Sequence, residues 1–428
     1  MRKKSISIGI IGFGNIGSSV ARNLKRNSLL IADRVGVPVK VKVVADKSPA
    51  ALSRARTMGL DAVSIENVLS DDGVDIIVEA MGGENPAKEI ILKAVGSGKS
   101  VVTSNKEVIA KNLKRFIEAA KKKNISILFE GAVGGGTPII GPLQEDLAGN
   151  EISLLYGIVN GTTNYILSRM SESGMEFRDA LAEAKKKGYA EADPKMDIEG
   201  HDSAYKAVIL ASVAMDADVT IKEVYVEGIS KISQEDIKYA ADIGYVIKLL
   251  AVAKKVKNEV EVRVHPMLLP KAHRLASVSG ALNAIYVQGS PVGKVLFSAQ
   301  GAGGDSTSSA VIGDIIKVAK KIARGDSPVS WNNLRVLKVK KIGEIVSRYY
   351  IRLRAPDRSG VLAGISKAFA DQKVSIQAVV QKETVGNVAT IVILIHDVLE
   401  KNLLKAISKI KKLPVVKEVC NVIRVASG

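Results

Sequence analysis

The chain has 428 residues, of which 46% are hydrophobic, so it can form the cores of several domains. It has no run of about 18 apolar residues, which argues against a membrane-spanning helix. Its single cysteine, Cys420, excludes an intrachain disulfide and favours a reducing compartment such as the cytoplasm. Its net charge of +18 comes from scattered lysine clusters, and only 4% of its residues are aromatic, so nucleic-acid binding is disfavoured.

Strands and helices are predicted to alternate through residues 1–150. Buried strands are expected at 6–11, 39–45, 74–78, 100–102 and 125–129, with helical patterns between them, notably at 86–96 and 106–122. This alternation predicts an α/β fold, a doubly wound parallel sheet of the Rossmann type. We expect the segment at about 300–325, a glycine-rich turn followed by a helix, to complete this domain.

Residues 151–299 are predicted to form a second, α+β domain. A strand is expected at 152–159, helices at 162–172, 176–187 and 201–215, and a polar irregular stretch at 188–200. Strands at 219–230 and 258–265 are expected to flank a helix at 234–254. A strand pair is expected around 272–289.

The C-terminal segment 349–428 follows a predicted linker at 326–348. Its pattern predicts strand 349–354, helix 360–371, strands 373–380 and 388–396, helix 398–412 and strand 416–425. The resulting order β-α-β-β-α-β predicts a separate ferredoxin-like domain.

A glycine-rich turn follows the first predicted strand. It reads Gly12-Phe13-Gly14-Asn15-Ile16-Gly17, which matches G-x-G-x-x-G between a strand and a helix. The first glycine permits the tight turn, the second admits a pyrophosphate, and the third lets the helix pack on the strand. Because the motif stands in this context, a dinucleotide site is favoured over a plain tight turn.

The residues after the second predicted strand leave the choice of dinucleotide open. Asp46 ends that strand, although it lies further from the turn than the usual ~20 residues. Its carboxylate suits the ribose hydroxyls of NAD, whereas Lys47 and Arg54 suit the 2′-phosphate of NADP.

Three further sets of residues are candidates for chemistry. Lys106 follows a strand end, where open α/β sheets place ligands, but a lysine at a helix start is more often a surface residue. Asp202 and Lys206 are spaced i, i+4, so they form either an exposed ion pair or a proton-donating lysine beside a carboxylate. The glycines between Gly131 and Gly136 favour a tight turn over a cation-binding loop.

Together these segments resemble homoserine dehydrogenases. The matching pieces include Gly12–Gly17, Thr103–Lys106, Glu130–Pro138, Asn160–Tyr165, Glu227–Ile229, Gly301–Gly304 and, most specific to the family, Tyr189–Lys206. Residues 349–428 resemble an ACT domain through Asp357–Leu362, although Ser359 stands where a proline is common. The arrangement resembles the monofunctional, threonine-regulated form of the enzyme.

The resemblance implies the reversible NAD(P)-dependent oxidation of L-homoserine to L-aspartate 4-semialdehyde, in the biosynthesis of threonine, methionine and isoleucine. Lys206 would donate a proton to the carbonyl oxygen, Asp202 would orient the substrate, and Lys106 would contact both nicotinamide and substrate. The other implied roles are substrate binding for Glu191, Asp197 and Thr162, cofactor binding for Thr103 and Gly303, sodium binding for Glu130, Val133, Gly135 and Thr137, and effector binding for Asp357, Gly360 and Val361. The resemblance also implies a homodimer, with residues 151–299 as the substrate-binding and dimerisation domain.

Two other functions compete with this interpretation. Aspartate-semialdehyde dehydrogenase handles the same aldehyde but needs a cysteine nucleophile, and Cys420 lies in the last predicted strand. A non-catalytic protein that senses a nucleotide and an amino acid would leave Asp202 and Lys206 without a role. Because the core resemblance ends before residue 349, an enzyme truncated there is expected to remain active.

Overall fold

The computed structural model describes residues 3–426, apart from the side chains of residues 382–385. The strands are β1 (Ile6–Ile11), β2 (Val39–Ala45), β3 (Asp61–Ala62), β4 (Ile76–Glu79), β5 (Ser100–Thr103), β6 (Ile127–Leu128), β7 (Glu151–Ile158), β8 (Tyr225–Val226), β9 (Tyr245–Val256), β10 (Glu259–Pro270), β11 (Leu282–Ser290), β12 (Gly293–Gln300), β13 (Lys338–Val339), β14 (Val346–Pro356), β15 (Ile376–Val385), β16 (Val388–Leu399) and β17 (Glu418–Val425). The helices are α1 (Asn15–Arg26), α2 (Ser28–Val35), α3 (Pro49–Thr57), α4 (Ile65–Ser70), α5 (Ala87–Gly96), α6 (Lys106–Lys123), α7 (Ile140–Gln144), α8 (Gly161–Ser173), α9 (Phe177–Lys186), α10 (Lys195–Ile198), α11 (His201–Met215), α12 (Gln234–Asp242), α13 (Gly304–Arg324), α14 (Val361–Ala370) and α15 (Glu400–Ile410). Within the described residues, no helix has the length and apolar character needed to cross a membrane.

The chain divides into two compact units. The first consists of Met1–Leu155, Tyr205–Lys222 and Asn283–Leu337, and the second of Tyr156–Ala204, Glu223–Leu282 and Lys338–Gly428. The division falls within β7 and within α11, and the C-terminal module belongs to the second unit.

The first unit contains a six-stranded parallel sheet. Its strand order is β3-β2-β1-β4-β5-β6, the order of Rossmann dinucleotide-binding folds, so the predicted fold class is confirmed. The isoleucines of the central strand β1 have no solvent exposure, because a parallel sheet is covered on both faces. The order reverses between β1 and β4, and the carboxyl ends of these strands form the edge where such folds bind ligands.

The later helix α13 also belongs to the first unit and packs beside α1. Asp305 in its first turn accepts hydrogen bonds from Arg22 (2.8 Å) and Asn23 (3.1 Å), and Asn23 also donates to Ser308 (2.8 Å). These bonds fix the glycine-rich entry to α13 beside the dinucleotide turn.

The second unit contains a sheet that runs through the C-terminal module. Strand β9 pairs with β10, β10 pairs in parallel with β17, and β17 is followed by β14, β16 and β15 in antiparallel pairs. The module itself has the order β14-α14-β15-β16-α15-β17, which confirms the predicted ferredoxin-like pattern. Its core includes Ile351, Ile365, Phe369 and Leu403, each fully buried.

The predicted helix at 234–254 is wrong beyond Asp242. Helix α12 begins with a capping box between Ser233 and Asp236 and ends before Gly244, whose φ is +85°. Residues Tyr245–Val256 instead form β9, which pairs with β10 along its whole length. The segment is largely apolar but is interrupted by Lys248, and such a pattern fits a buried strand or a buried helix equally well, so tertiary pairing decided it.

Two other strand predictions also needed correction. Of the segment 219–230, only Tyr225–Val226 is a strand, and the strand pair expected around 272–289 lies later, at Leu282–Ser290 and Gly293–Gln300.

Candidate active site

Each glycine of the dinucleotide turn is needed for a different steric reason. Gly12 has a φ of +93°, and a Cβ there would lie 2.6 Å from the backbone oxygen of Ala80. A Cβ on Gly17 would lie 2.0 Å from the Gly12 oxygen, whereas one on Gly14 would meet nothing within 4 Å. Gly12 and Gly17 are therefore required by the protein's own backbone, while the space beside Gly14 is open to a ligand.

The entry to α1 and an adjacent cavity fit a nucleotide. Gly14 precedes α1 and provides no side-chain cap, so N–H groups at the helix start can face phosphate oxygens. A cavity of about 260 Å³ lies beside the turn, lined by residues that include Gly14, Asp46 and Lys47. Asp46 supports the turn directly, because its carboxylate accepts hydrogen bonds from the N–H of Phe13 (2.5 Å) and of Ser48 (2.7 Å).

Glu79 is a buried carboxylate at the carboxyl end of the parallel sheet, and the sequence analysis did not identify it. It ends β4 with no solvent exposure and accepts hydrogen bonds from the Thr103 hydroxyl (2.6 Å) and the Met81 N–H (2.8 Å). Burial raises the pKa of the Glu79 carboxyl, and these hydrogen bonds oppose the rise. Glu79 therefore orients Thr103, and half-buried Lys106 starts α6 three residues later. In the sequence, the one signal that could have identified Glu79 was a lone acidic residue at the end of an apolar strand.

Three glycine-rich segments of the first unit meet at close range. A Cβ on Gly135 would lie 2.4 Å from the Gly301 oxygen, and the Gly136 N–H donates to the Gln300 oxygen at 3.2 Å. A Cβ on Gly304 would lie 2.6 Å from the side-chain oxygen of Asn15 in the dinucleotide turn. The predicted site segments 12–17, 131–136 and 301–304 thus form one cluster, although they are far apart in sequence.

Glu130 is buried, and its carboxylate forms hydrogen bonds with main-chain N–H groups. Its two oxygens accept hydrogen bonds from the N–H groups of residues 139–141 at 2.7 to 2.8 Å, and its own N–H donates to Asp314 at 2.7 Å. Burial raises the pKa of Asp314 to about 7. The hydroxyl of nearby Thr137 is buried without a hydrogen-bond partner among the described residues. The Glu130 carboxylate thus fixes the main chain of residues 139–141.

The second unit brings three polar residues of the predicted substrate region together. Asn160 precedes α8, and its side-chain oxygen accepts a hydrogen bond from the Thr163 N–H at 2.9 Å. Its side-chain nitrogen donates to both Asp197 (2.7 Å) and Asp202 (2.9 Å). One buried amide therefore holds two carboxylates side by side, and Asn160 joins the candidate site as a residue that the sequence analysis had only placed in a motif.

The other two substrate candidates, Thr162 and Glu191, do not share the hydrogen bonds that join Asn160 to the two carboxylates. The hydroxyl of Thr162 donates to the main-chain oxygen of Tyr189 at 2.5 Å, and the Tyr189 ring lies 4.7 Å from the ring of Tyr165. Glu191 is exposed, and the hydrogen bonds of Asn160 do not reach it.

Lys206 lies in α11, which occupies His201–Met215 as predicted. Asp202 is buried and Lys206 is half-buried, and four residues separate them, so they lie on one side of this helix. The following residues 207–210 are at most 1% exposed, which gives Lys206 an apolar flank. Asp202 belongs to the second unit and Lys206 to the first.

Cys420 and the predicted effector residues lie in the C-terminal module. Cys420 is in β17, and burial raises the pKa of its thiol, which is the opposite of what a thiolate nucleophile needs. Gly360, with a φ of +88°, precedes α14, and Val361 is buried. Asp357 is exposed and accepts a hydrogen bond from Gln381 at 3.1 Å.

Known proteins match the chain over nearly its whole length. The family model described as "Homoserine dehydrogenase" matches residues 138–316, and "Homoserine dehydrogenase, NAD binding domain" matches residues 12–130. The homoserine dehydrogenase of Corynebacterium glutamicum is 39% identical over 98% of this chain and 95% of its own length. That of Neisseria gonorrhoeae is 39% identical over 99% of both chains. The chain belongs to the homoserine dehydrogenase family.

Solved homoserine dehydrogenases have the same fold. The crystal structure from Thiobacillus denitrificans superposes with a TM-score of 0.94 at 39% identity and covers 100% of both chains. A hyperthermophilic archaeal homoserine dehydrogenase mutant in complex with NADPH has a TM-score of 0.64 at 31% identity, over 77% of this chain and 100% of its own. A model described as "ACT domain" matches residues 349–415.

Family membership confirms the predicted enzyme over the non-catalytic sensor. The protein is therefore an oxidoreductase that interconverts L-homoserine and L-aspartate 4-semialdehyde with a nicotinamide dinucleotide. Its C-terminal ACT domain is consistent with regulation.

Proposed function

We propose that Lys206 is the proton donor of this homoserine dehydrogenase and that Asp197 and Asp202 bind and orient the substrate. The observation that carries the substrate assignment is the buried amide of Asn160, which donates to both carboxylates. Two adjacent carboxylates suit the ammonium group of an amino-acid substrate, because opposite charges attract strongly where water is excluded. Thr162 and Glu191 complete the proposed substrate region, and Lys106, Thr103 and Gly303 the proposed cofactor contacts.

The chemistry of the two directions of the reaction sets the role of Lys206. The bound nicotinamide supplies or accepts the hydride. When the aldehyde is reduced, the developing alkoxide needs a proton, and an ammonium group provides both that proton and a stabilising positive charge. In the direction of oxidation, the neutral amine takes the proton from the homoserine hydroxyl.

The test is Lys206→Ala, assayed for homoserine oxidation. We expect kcat to fall by roughly 10²- to 10⁴-fold, the usual contribution of a positioned acid or base. Dinucleotide affinity, measured by fluorescence titration, should stay close to that of the wild type. Lys222→Ala, which removes an exposed lysine of the first unit, is the control. Unchanged turnover in Lys206→Ala would remove the assignment.

We also propose that the loop 130–137 holds a sodium ion. The main-chain oxygens of Glu130, Val133 and Gly135 with the Thr137 hydroxyl would hold it, and the support is that this hydroxyl is buried without a partner. The described residues contain no cluster of three or more His, Cys, Asp or Glu side chains for a metal ion, which fits a site of neutral oxygens. Replacing sodium by tetramethylammonium should lower the melting temperature of the wild type but not of Thr137→Val. If the wild type melts at the same temperature in both salts, the site is rejected.

The cofactor, effector and assembly are proposed as follows. Either NAD or NADP serves as hydride carrier, since Asp46 and Lys47 both line the cavity beside the turn, and parallel assays with each dinucleotide decide between them.

Threonine binds the ACT domain near Asp357, Gly360 and Val361 and inhibits the enzyme. Calorimetry with the full chain that shows no threonine binding would refute this proposal. We further propose that the protein is a cytoplasmic homodimer. Sedimentation of the purified protein tests the number of chains in the assembly.

A further inference from the structure

Arg424 is a buried cation at the end of the C-terminal module. It lies in β17 with 4% exposure, and its guanidinium donates to Glu400 through Nε at 3.1 Å and also through Nη2. Its Nη1 donates to Glu227 at 3.0 Å. Glu400 belongs to the same module, but Glu227 follows β8 in the middle part of the chain. Arg424 therefore joins two distant segments, and removing it would leave buried carboxylate charge without compensation.

Glu227 is held at three points. Its carboxylate also accepts a hydrogen bond from the Tyr225 hydroxyl at 3.0 Å, and its N–H donates to the main-chain oxygen of Val264 at 2.8 Å. The guanidinium of Arg424 lies over the Tyr225 ring, 4.8 Å from its centre. The main chain at residue 227 is thus fixed from the module side as well as from β10.

The next residue, Gly228, lies against the segment that carries the substrate carboxylates. A Cβ on Gly228 would lie 2.2 Å from the oxygen of Ile198 and 2.4 Å from the Cα of Glu199. The N–H of Ile229 donates to the same Ile198 oxygen at 2.8 Å. Residues 198–199 stand between Asp197 and Asp202, the two partners of Asn160. A shift of the main chain at 227–228 would therefore move the segment that spaces these two carboxylates.

We propose that Glu227, held by Arg424 of the ACT domain, is a positioning residue for the homoserine-binding carboxylates. It sets the place of Gly228 under residues 198–199, and through them the placement of Asp197 and Asp202. This inference rests on the proposed role of those two carboxylates. It makes the C-terminal module part of the scaffold of the substrate region.

A second buried ion pair of the same module provides a matched control. Arg352 in β14 is also 4% exposed, and it donates to Asp236 at 2.7 Å and to the Ser233 hydroxyl at 2.9 Å. These partners belong to the capping box of α12. Arg352 therefore resembles Arg424 in burial and charge but anchors α12 instead of residues 227–228.

The experiment compares Glu227→Gln, Arg424→Lys and Arg352→Lys in the full chain. Glu227→Gln should fold, because Arg424 keeps its ion pair with Glu400. We expect Glu227→Gln and Arg424→Lys to raise the KM for homoserine by roughly 2- to 30-fold, with kcat and the dinucleotide KM changed by less than about twofold. Calorimetry with homoserine, with the dinucleotide present, should show the same loss of affinity. Arg352→Lys should lower the melting temperature without raising the homoserine KM.

Two results would overturn the inference. One is an unchanged homoserine KM in Glu227→Gln, and the other is an equal rise in Arg352→Lys, which would indicate a general loosening of the unit. Asp202→Asn, measured alongside, separates the causes. If Asp202→Asn raises the homoserine KM and Glu227→Gln does not, only the positioning role is refuted. If neither variant changes it, the proposed substrate site fails as well.

Discussion

Lys248 is a buried ammonium whose removal should change how stability depends on pH. It lies in β9 with 5% exposure, and its Nζ donates to the main-chain oxygen of Val278 at 2.6 Å and to Asn164 at 3.1 Å. Because burial disfavours the charged form, the pKa of Lys248 is lowered to about 8, against the weaker opposing effect of the Glu172 charge. Asn164 lies in α8, the helix that Asn160 caps, so this lysine also supports the substrate region.

The direction follows from proton binding in the folded and unfolded states. Between pH 8 and the ordinary lysine value of 10.5, the unfolded chain holds the proton that folded Lys248 has released. Stability therefore rises with pH through this window, and the contribution is lost as pH falls through about 8. With one pKa unit worth about 1.4 kcal/mol, the free energy of unfolding should gain roughly 2 to 3 kcal/mol from Lys248 between about pH 7 and pH 10.

The assay is urea unfolding of the wild type and Lys248→Met at several pH values. The difference in unfolding free energy between the two proteins should shift in favour of the wild type by roughly 2 to 3 kcal/mol across this range. Lys271→Met, which removes an exposed ammonium, should show no comparable shift. Parallel pH curves for the wild type and Lys248→Met would refute the argument that desolvation dominates at this site.

The dinucleotide turn predicts opposite outcomes for two alanine variants. Gly14→Ala should fold with a near-native melting temperature but bind NAD(P) at least about tenfold more weakly, whereas Gly17→Ala should be destabilised, since its Cβ would lie 2.0 Å from the Gly12 oxygen. Tight cofactor binding by Gly14→Ala in fluorescence titrations would contradict this interpretation. Deletion of residues 349–428 should impair the core that the sequence predicts to stay active, because β10 would lose β17 and buried Asp236 would lose Arg352. We now expect a lower melting temperature and weak homoserine binding; wild-type values of both would restore the modular interpretation.

Much of the fold and part of the site could be predicted from local patterns. The alternation of strands and helices predicted the parallel sheet, and the spacing of the glycines in residues 12–17 predicted the turn, because both patterns are contained in short stretches of sequence. The i, i+4 spacing of Asp202 and Lys206 likewise required only a helix. Local pattern failed at β9, where a largely apolar segment has no periodicity that distinguishes a strand from a helix.

Long-range contacts could not be predicted in this way. Glu79 became a candidate only when β4 and β5 placed it beside Thr103, and Asn160 only when α8 met residues 197 and 202. The link from Arg424 to Glu227 joins residues almost two hundred positions apart, and no spacing rule connects them.

The sequence by itself determined most of the secondary structure, the dinucleotide turn and the family, because propensity, periodicity and motif are properties of neighbouring residues. The tertiary structure alone decided which buried charges are paired, which amide holds the two carboxylates, and how the last strand adjoins β10. Burial and hydrogen bonding set the energy of a charged group, and both depend on residues that only the folded chain brings within reach.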